Sequence, residues 1–433
     1  MLSPFKTSGA FRRRQAGWPG VLAGGILLLT TVAPVLGQEA LRVSLAGQDA
    51  AEARKRALES TSYNLKLGPL KLRFQSGLAV AATDNVNLSD QNPKFDISLR
   101  PELNILTFWR ATEQNALTFS AGVGYEKYLN SPDLDHAFIT PGSDLAFSLY
   151  VKDFVFTLHD RMSLTENAYS QPEISGTGNF GYFENTAGLE VAWDLNKVVI
   201  SASYDHVVNV ATTTNFSYRD HSSELVSTRV AYSLNPTTQT GIEIGGGLTT
   251  YDRQMTTNSP ALSDTTYYNA GLFFRSQFTP YLMLKASAGY TTYHLDKPPV
   301  FAPSADISAY YVNLYLQHRV NTKLTYIMEV GRSIQLGIFS DTLDLYYARI
   351  QPTWRIIRNI TLRTPLFIEH ATQSISSGGS EQIDRYGGGV EAAYQLTRKL
   401  NLSTSYSFGK KQSNKFGRNY VQNRLVLDLN YSF

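Results

Sequence analysis

From Pro69 onward the chain repeats one device: about ten residues that alternate apolar and polar, a break, then another such stretch. Alternation with a period of two puts successive side chains on opposite faces of a strand. LVLDLNYSF, Leu425 to Phe433, shows it plainly. One face carries Leu425, Leu427, Leu429, Tyr431 and Phe433, and the other Val426, Asp428, Asn430 and Ser432. Further back, Phe95, Ile97, Leu99, Leu103 and Ile105 oppose Asp96, Ser98, Arg100, Glu102 and Asn104. Leu282, Leu284, Ala286, Ala288 and Tyr290 oppose Met283, Lys285, Ser287 and Thr291. Ile360, Leu362, Leu366 and Ile368 oppose Thr361, Arg363 and Glu369.

The breaks are alternately short and long. The short ones align: WDLNKVVI at Trp193, YSLNPTTQTGI at Tyr232, SQFTPYLML at Ser276, HRVNTKLTY at His318, WRIIRNITL at Trp354 and YQLTRKLNL at Tyr394. Their starts lie 36 to 44 residues apart. Such a period also suits a propeller or solenoid. A blade, however, needs four strands in that length, each shorter than the stretches written here. Expected short turns include 108–115; expected longer loops include 129–142, 165–182, 370–381 and 410–417.

A soluble sandwich alternates too, but it encloses a limited core with seven to nine strands. Here charge recurs on one face along the whole length. Aromatic residues gather at strand ends, as at Tyr125, Trp193, Tyr204, Tyr232, Tyr290, Trp354, Tyr394 and Tyr406. In hydrocarbon every backbone N–H and C=O must pair, and strands achieve that only in a closed sheet. The expected fold is therefore all-β: a transmembrane antiparallel up-and-down β-barrel of about eighteen strands, in the cell outer membrane, with lipid outside and a polar lumen inside. The last strand pairs with the first. Short turns face the periplasm and long loops the exterior.

Residues 1–37 read as a signal peptide. Arg12 to Arg14 precede the apolar run Gly20 to Gly37, with cleavage expected after Gly37. As a spanning anchor the run is short, and glycine and Pro34 break it. Residues 38–68, with AAEARKRALE at Ala50 to Glu59, form an expected periplasmic arm or plug, and 69–433 the barrel.

Composition narrows the chemistry. A net charge of +3 does not call for nucleic acid, and there are no cysteines to hold a metal or act as nucleophile. No phosphate-binding loop, dinucleotide pattern, zinc helix or nucleophile elbow is present. Gly245 to Gly247 lie inside a strand, where glycine marks a bulge or close packing. No cofactor and no metal is expected. Asp133, Asp135 and His136 have cation-ligating chemistry, but a solvated loop is the simpler reading. His159 and Ser163 suggest a lipase pair, yet i and i+4 in one strand lie about 13 Å apart, beyond hydrogen-bond reach.

The polar face is the better guide. The alternation places the candidate pore-lining residues Arg100, Glu102, Arg161, Glu190, Arg229, Glu243, Arg275, Lys285, Arg319, Glu329, Arg349, Arg363, Glu369, Arg385, Glu391 and Arg424 inside the ring. Lys71, Arg73, Asp96, Glu126, Asp205, Arg355 and Asp428 share that face. The first nine strands are roughly balanced in charge and the last nine are basic, which sets a field across the pore. Alternatively, the charges pair across strands and stiffen the wall. The long loop YSQPEISGTGNFGYF, Tyr169 to Phe183, is a candidate to fold inward.

Two stretches carry a resemblance. YNLKLGPLKLRFQSGLAVAATDNVNLS, Tyr63 to Ser89, ends in Asp84-Asn85 followed by Leu88-Ser89, and the chain closes on NRLVLDLNYSF. Together they resemble bacterial outer-membrane barrels of the β-barrel porin-2 type. The resemblance implies that Tyr431 and Phe433 belong to the signal read by the barrel assembly machinery. It also implies a role in exopolysaccharide secretion or anchoring, with polysaccharide or export proteins as partners besides outer-membrane lipid. It carries over no catalytic residues. The expected function is a porin-like channel for diffusion or export of polar solutes. The alternatives are an accessory barrel of exopolysaccharide secretion and an outer-membrane hydrolase using His159.

Overall fold

The computed structural model describes residues 63–112, 114–252, 262–296, 306–374 and 379–433. The expected signal peptide and most of the expected arm lie outside the described residues. The strands are β1 (Leu65–Leu67), β2 (Leu70–Thr83), β3 (Asp96–Thr112), β4 (Asn115–Tyr128), β5 (His136–Val151), β6 (Phe154–Glu166), β7 (Gly181–Asp194), β8 (Val198–Ala211), β9 (His221–Asn235) and β10 (Thr238–Tyr251). They continue as β11 (Asp264–Thr279), β12 (Leu282–Asp296), β13 (Ile307–Arg319), β14 (Leu324–Leu336), β15 (Thr342–Ile357), β16 (Ile360–Arg363), β17 (Leu366–Ser374), β18 (Ser380–Gln395), β19 (Leu400–Ser413) and β20 (Tyr420–Ser432).

Neighbours in sequence pair antiparallel, and β20 returns to β2, from Gln75 opposite Ser432 to Thr83 opposite Arg424. The sheet thus has no free edge, as a lipid-embedded sheet requires. β1 is a stub folded back on β2. β16 and β17 occupy one place in the ring, since both pair with β15 and with β18. Of the twenty strands, eighteen places therefore form the closed ring. Pro365 explains the split. It has no N–H to give to a neighbour, so the ladder stops at Arg363 and resumes at Leu366.

Strand bounds differ from expectation where strand residues read as loop. β3 runs through the expected turn 108–115 as far as Thr112. β5 begins at His136, inside the expected loop 129–142. There Pro141 offers no donor and Gly142 adopts φ +94°, so the ladder bulges between Ile139 and Ser143 rather than ending. β17 continues to Ser374, inside the expected loop 370–381. β19 continues to Ser413, because Lys410 and Lys411 still alternate outward and inward.

The outer face is apolar. Leu272, Ile368, Leu425 and Leu427 are exposed, and so are all eight end-of-strand aromatics named above. That band suits lipid. Charges reach the outer face chiefly near the loop ends of strands. His206 Nδ1 meets Glu224 Oε1 at 2.8 Å. Arg332 pairs with Asp344 at 2.9 Å, its guanidinium 4.1 Å from the Tyr310 ring and 5.1 Å from that of Tyr346. A charge there costs about 0–1 kcal/mol, against about 2–4 at the bilayer midplane.

The seam between first and last strands is clasped at its loop end. Asp84 accepts from Asn423 N at 2.7 Å and from Asn423 Nδ2 at 2.6 Å. Buried Asn85 donates Nδ2 to Val421 O at 2.8 Å, and Gln422 Nε2 donates to Asn85 O at 2.8 Å. The Asp-Asn pair and the closing stretch, which carry the sequence resemblance, are two halves of one contact.

Candidate functional site

The long loops converge inside the ring. Loop 167–180 crosses from β6 to the far wall and is held there chiefly through its backbone. Arg385 Nη2 donates to Tyr169 O at 2.9 Å. Lys411 Nζ donates to Glu173 O at 3.0 Å and to Ile174 O at 3.3 Å. Arg418 Nη2 donates to Glu173 O at 2.7 Å while its Nη1 meets Glu381 Oε2 at 2.8 Å. The Glu173 carboxylate accepts from Ile338 N at 2.8 Å and from Phe339 N at 3.4 Å. Burial pushes that carboxyl above its ordinary range, against the opposing pull of Arg219 and Lys411. Burial likewise pushes the Tyr169 phenol up to about 12, so it stays neutral. Gly409 makes room for it, since a Cβ there would overlap the Tyr169 ring.

Apolar side chains complete the closure. Leu88, Ile174, Phe180, Phe216, Leu262 and Ile338, all from loops, pack with Tyr251 and Tyr420. Ile174 and Phe180 are essentially inaccessible, and burying such a side chain contributes about 1.5–3 kcal/mol. Two further clusters lie on the lumen side of strand loop ends. One holds Val207, Leu225, Tyr267 and Tyr293; the other holds Leu343, Leu345, Tyr347, Ala371 and Ile383.

Below this layer the inward charges pair. Arg229 meets Glu243 at 2.6 Å, and Tyr311 OH donates to the same carboxylate at 3.0 Å. Glu369 takes Arg349 at 2.7 Å and Arg385 at 3.3 Å. Arg363 meets Glu391 at 3.1 Å. Arg100 lies 3.9 Å from both Glu102 and Glu126, and Arg424 lies 3.7 Å from Glu126. Arg161 lies 3.4 Å from Asp205. Glu329 stands opposite Arg349 in register, and Arg275 opposite Lys285. Glu190 sits between Thr157 and Ser203.

His159 Nε2 is 2.7 Å from Asp205 Oδ1, so its partner, reached past β7 on β8, is a buried carboxylate. Among the described residues no group of three or more His, Cys, Asp or Glu side chains is arranged to hold a metal. In the loop read as a possible cation ligand, Asp135 binds Lys127 at 2.7 Å, which draws its pKa down.

The turn end of the lumen is different. Between the ends of β11 and β16 opens a recess of 520 Å³ whose lining includes Arg319, Lys323, Arg355, Arg363, Gln317 and Thr353. Arg319 stacks 4.7 Å above the Tyr281 ring. Among the described residues neither Arg319, Lys323 nor Arg355 has a carboxylate within ion-pair distance. Tyr431 and Phe433, the residues expected to carry the assembly signal, are exposed on the outer face with rings 5.1 Å apart.

Several residues escaped the sequence reading. Lys411 fell in the expected loop 410–417, although the lumen-facing register of β19 extends to it; Arg418 read as the first residue of the last strand, which instead begins at Tyr420. Glu173 had only its apolar neighbour Ile174 as a signal. Asp205 was assigned to the lumen without its contact to His159.

A closed ring with an apolar outer band and a charged, loop-narrowed interior is an outer-membrane β-barrel of the channel-forming class. The chain belongs to the family described as "Putative beta-barrel porin 2", which matches residues 66–433. That membership makes it an outer-membrane porin-type barrel and not an enzyme. No curated protein sequence matches it. Among solved structures it is similar to OccK2 (OpdF) of Pseudomonas aeruginosa, crystallised with glucuronate, at 10% identity and TM-score 0.50, over 85% of this chain and 99% of that one. A BenF-like porin from Pseudomonas fluorescens Pf-5 matches at 10% identity and TM-score 0.49, over 84% and 99% of the two chains. The outer membrane protein opdK of Pseudomonas aeruginosa matches at 12% and 0.48, over 84% and 99%. At such identities the likeness concerns the fold alone.

Proposed function

We propose that this barrel passes small polar solutes across the outer membrane by diffusion, and that loop 167–180 sets the size of what passes. One observation carries the reading: the loop is drawn into the lumen and pinned to the far wall by Arg385, Lys411 and Arg418. A chain segment held across a water-wide ring narrows it without blocking the wall's charged face. In mid-lumen and at the loop end the inward charges are occupied with one another and with the loop. The test is electrical. Purified, folded protein entering a planar bilayer produces discrete ion-conducting steps; persistent silence from folded protein overturns the channel reading.

A further inference from the structure

We infer that the recess at the turn end of the lumen is a binding site for small hydroxylated anions whose charged group is a carboxylate or a phosphate. The inference rests on the channel reading above, for this recess is where such a solute meets the periplasmic mouth. Charge is the first observation. In mid-lumen arginine is met by acid, as in Arg229–Glu243 and Arg349–Glu369. In the recess Arg319, Lys323, Arg355 and Arg363 converge, and among the described residues the acid that pairs with them is Glu391, on Arg363. Cations gathered on one low-dielectric wall without matching acids raise the local concentration of anions. They also repel one another, so an anion among them relieves a cost built into the wall.

Geometry is the second observation. Arg319 faces Thr325 across β13 and β14, Thr325 faces Thr353, and Thr353 faces Arg363. Two hydroxyls therefore stand in a row between two guanidinium groups. Arginine offers a planar fork for carboxylate or phosphate, and each threonine hydroxyl both donates and accepts. That arrangement reads a charged end and a hydroxyl-bearing body together. Tyr281 beneath Arg319 holds one fork in place. The volume of 520 Å³ admits a monosaccharide-sized molecule.

The test uses the folded full chain in detergent micelles, titrated calorimetrically with gluconate, glucose 6-phosphate and glucose. Gluconate or glucose 6-phosphate is expected to bind at least about tenfold more tightly than glucose, which corresponds to about 1.4 kcal/mol. Whichever of the two anions binds better identifies the charged group. The double variant Arg319→Gln/Arg355→Gln is expected to lose that preference, and Lys323→Gln, on an exposed turn, to weaken it. Equal binding of all three probes, or an unchanged preference in both folded variants, overturns the inference. The two readings fail separately. Folded protein that binds gluconate selectively but never conducts defeats the channel alone; one that conducts without favouring the anions defeats the site alone.

Discussion

The two ends of the lumen use the same kinds of side chain to opposite effect. At the loop end Arg385 and Lys411 are almost fully buried, and their donors are spent on the backbone of loop 167–180. At the turn end Arg319 and Arg355 face an open recess. Burying a cation is tolerable only when its hydrogen bonds are replaced. At the loop end carbonyls of the inward loop and carboxylates of Glu369 and Glu381 replace them. Among the described residues no loop reaches the turn end, where the connections are short, and its cations line an open recess. One end is built to be narrowed and the other to receive.

The strongest way to break this contrast is to take the loop out. Removing residues 171–178, or cutting the tether with Arg385→Met, is expected to raise single-channel conductance severalfold for the deletion and less for the point variant. Breaking a buried pair typically costs about 3–5 kcal/mol, so the point variant should also lower the unfolding temperature. Unchanged conductance in both would show that the loop does not govern passage.

A smaller effect sharpens the same contrast through pH. Burial raises the Glu173 carboxyl above its ordinary value, so the inward loop binds that proton more tightly than a solvated loop would. The contribution to closure is complete below the ordinary carboxyl range and is lost as pH rises through the raised value. Conductance should therefore fall on acidification from neutral pH. Glu173→Gln, neutral at every pH, should flatten most of that step. A step of full size in the Gln variant would remove Glu173 from the account.

Much of the barrel was legible because lipid imposes a two-residue period on the chain. Leu425, Leu427 and Leu429 must all face outward, and a slip of one residue would turn them all inward. The strand number, the closure of β20 on β2 and the aromatic girdle follow from that period. The inward direction of most charges follows too, but their partners do not. Pairing depends on which residues meet across a ladder, and a bulge such as Thr140-Pro141-Gly142 shifts that register behind a Pro-Gly pair that reads equally well as a turn. Loop docking was least legible. Glu173, Ile174 and Lys411 meet across more than two hundred residues, and polar stretches such as Lys410 to Ser413 look the same in a loop and on a lumen wall. The cations of the recess, Arg319, Arg355 and Arg363, stand on β13, β15 and β16, within the half of the ring whose inward charges read as basic.

The absence of cysteine makes the contrast directly measurable. Ala371, fully buried on β17 near the loop end, and Thr353, lining the recess on β15, can each be replaced by cysteine in folded protein. A charged, membrane-impermeant thiol reagent should modify Thr353→Cys readily and leave Ala371→Cys almost untouched. Equal modification of both, or the reverse order, would contradict a lumen narrowed by packed side chains at one end and wet at the other.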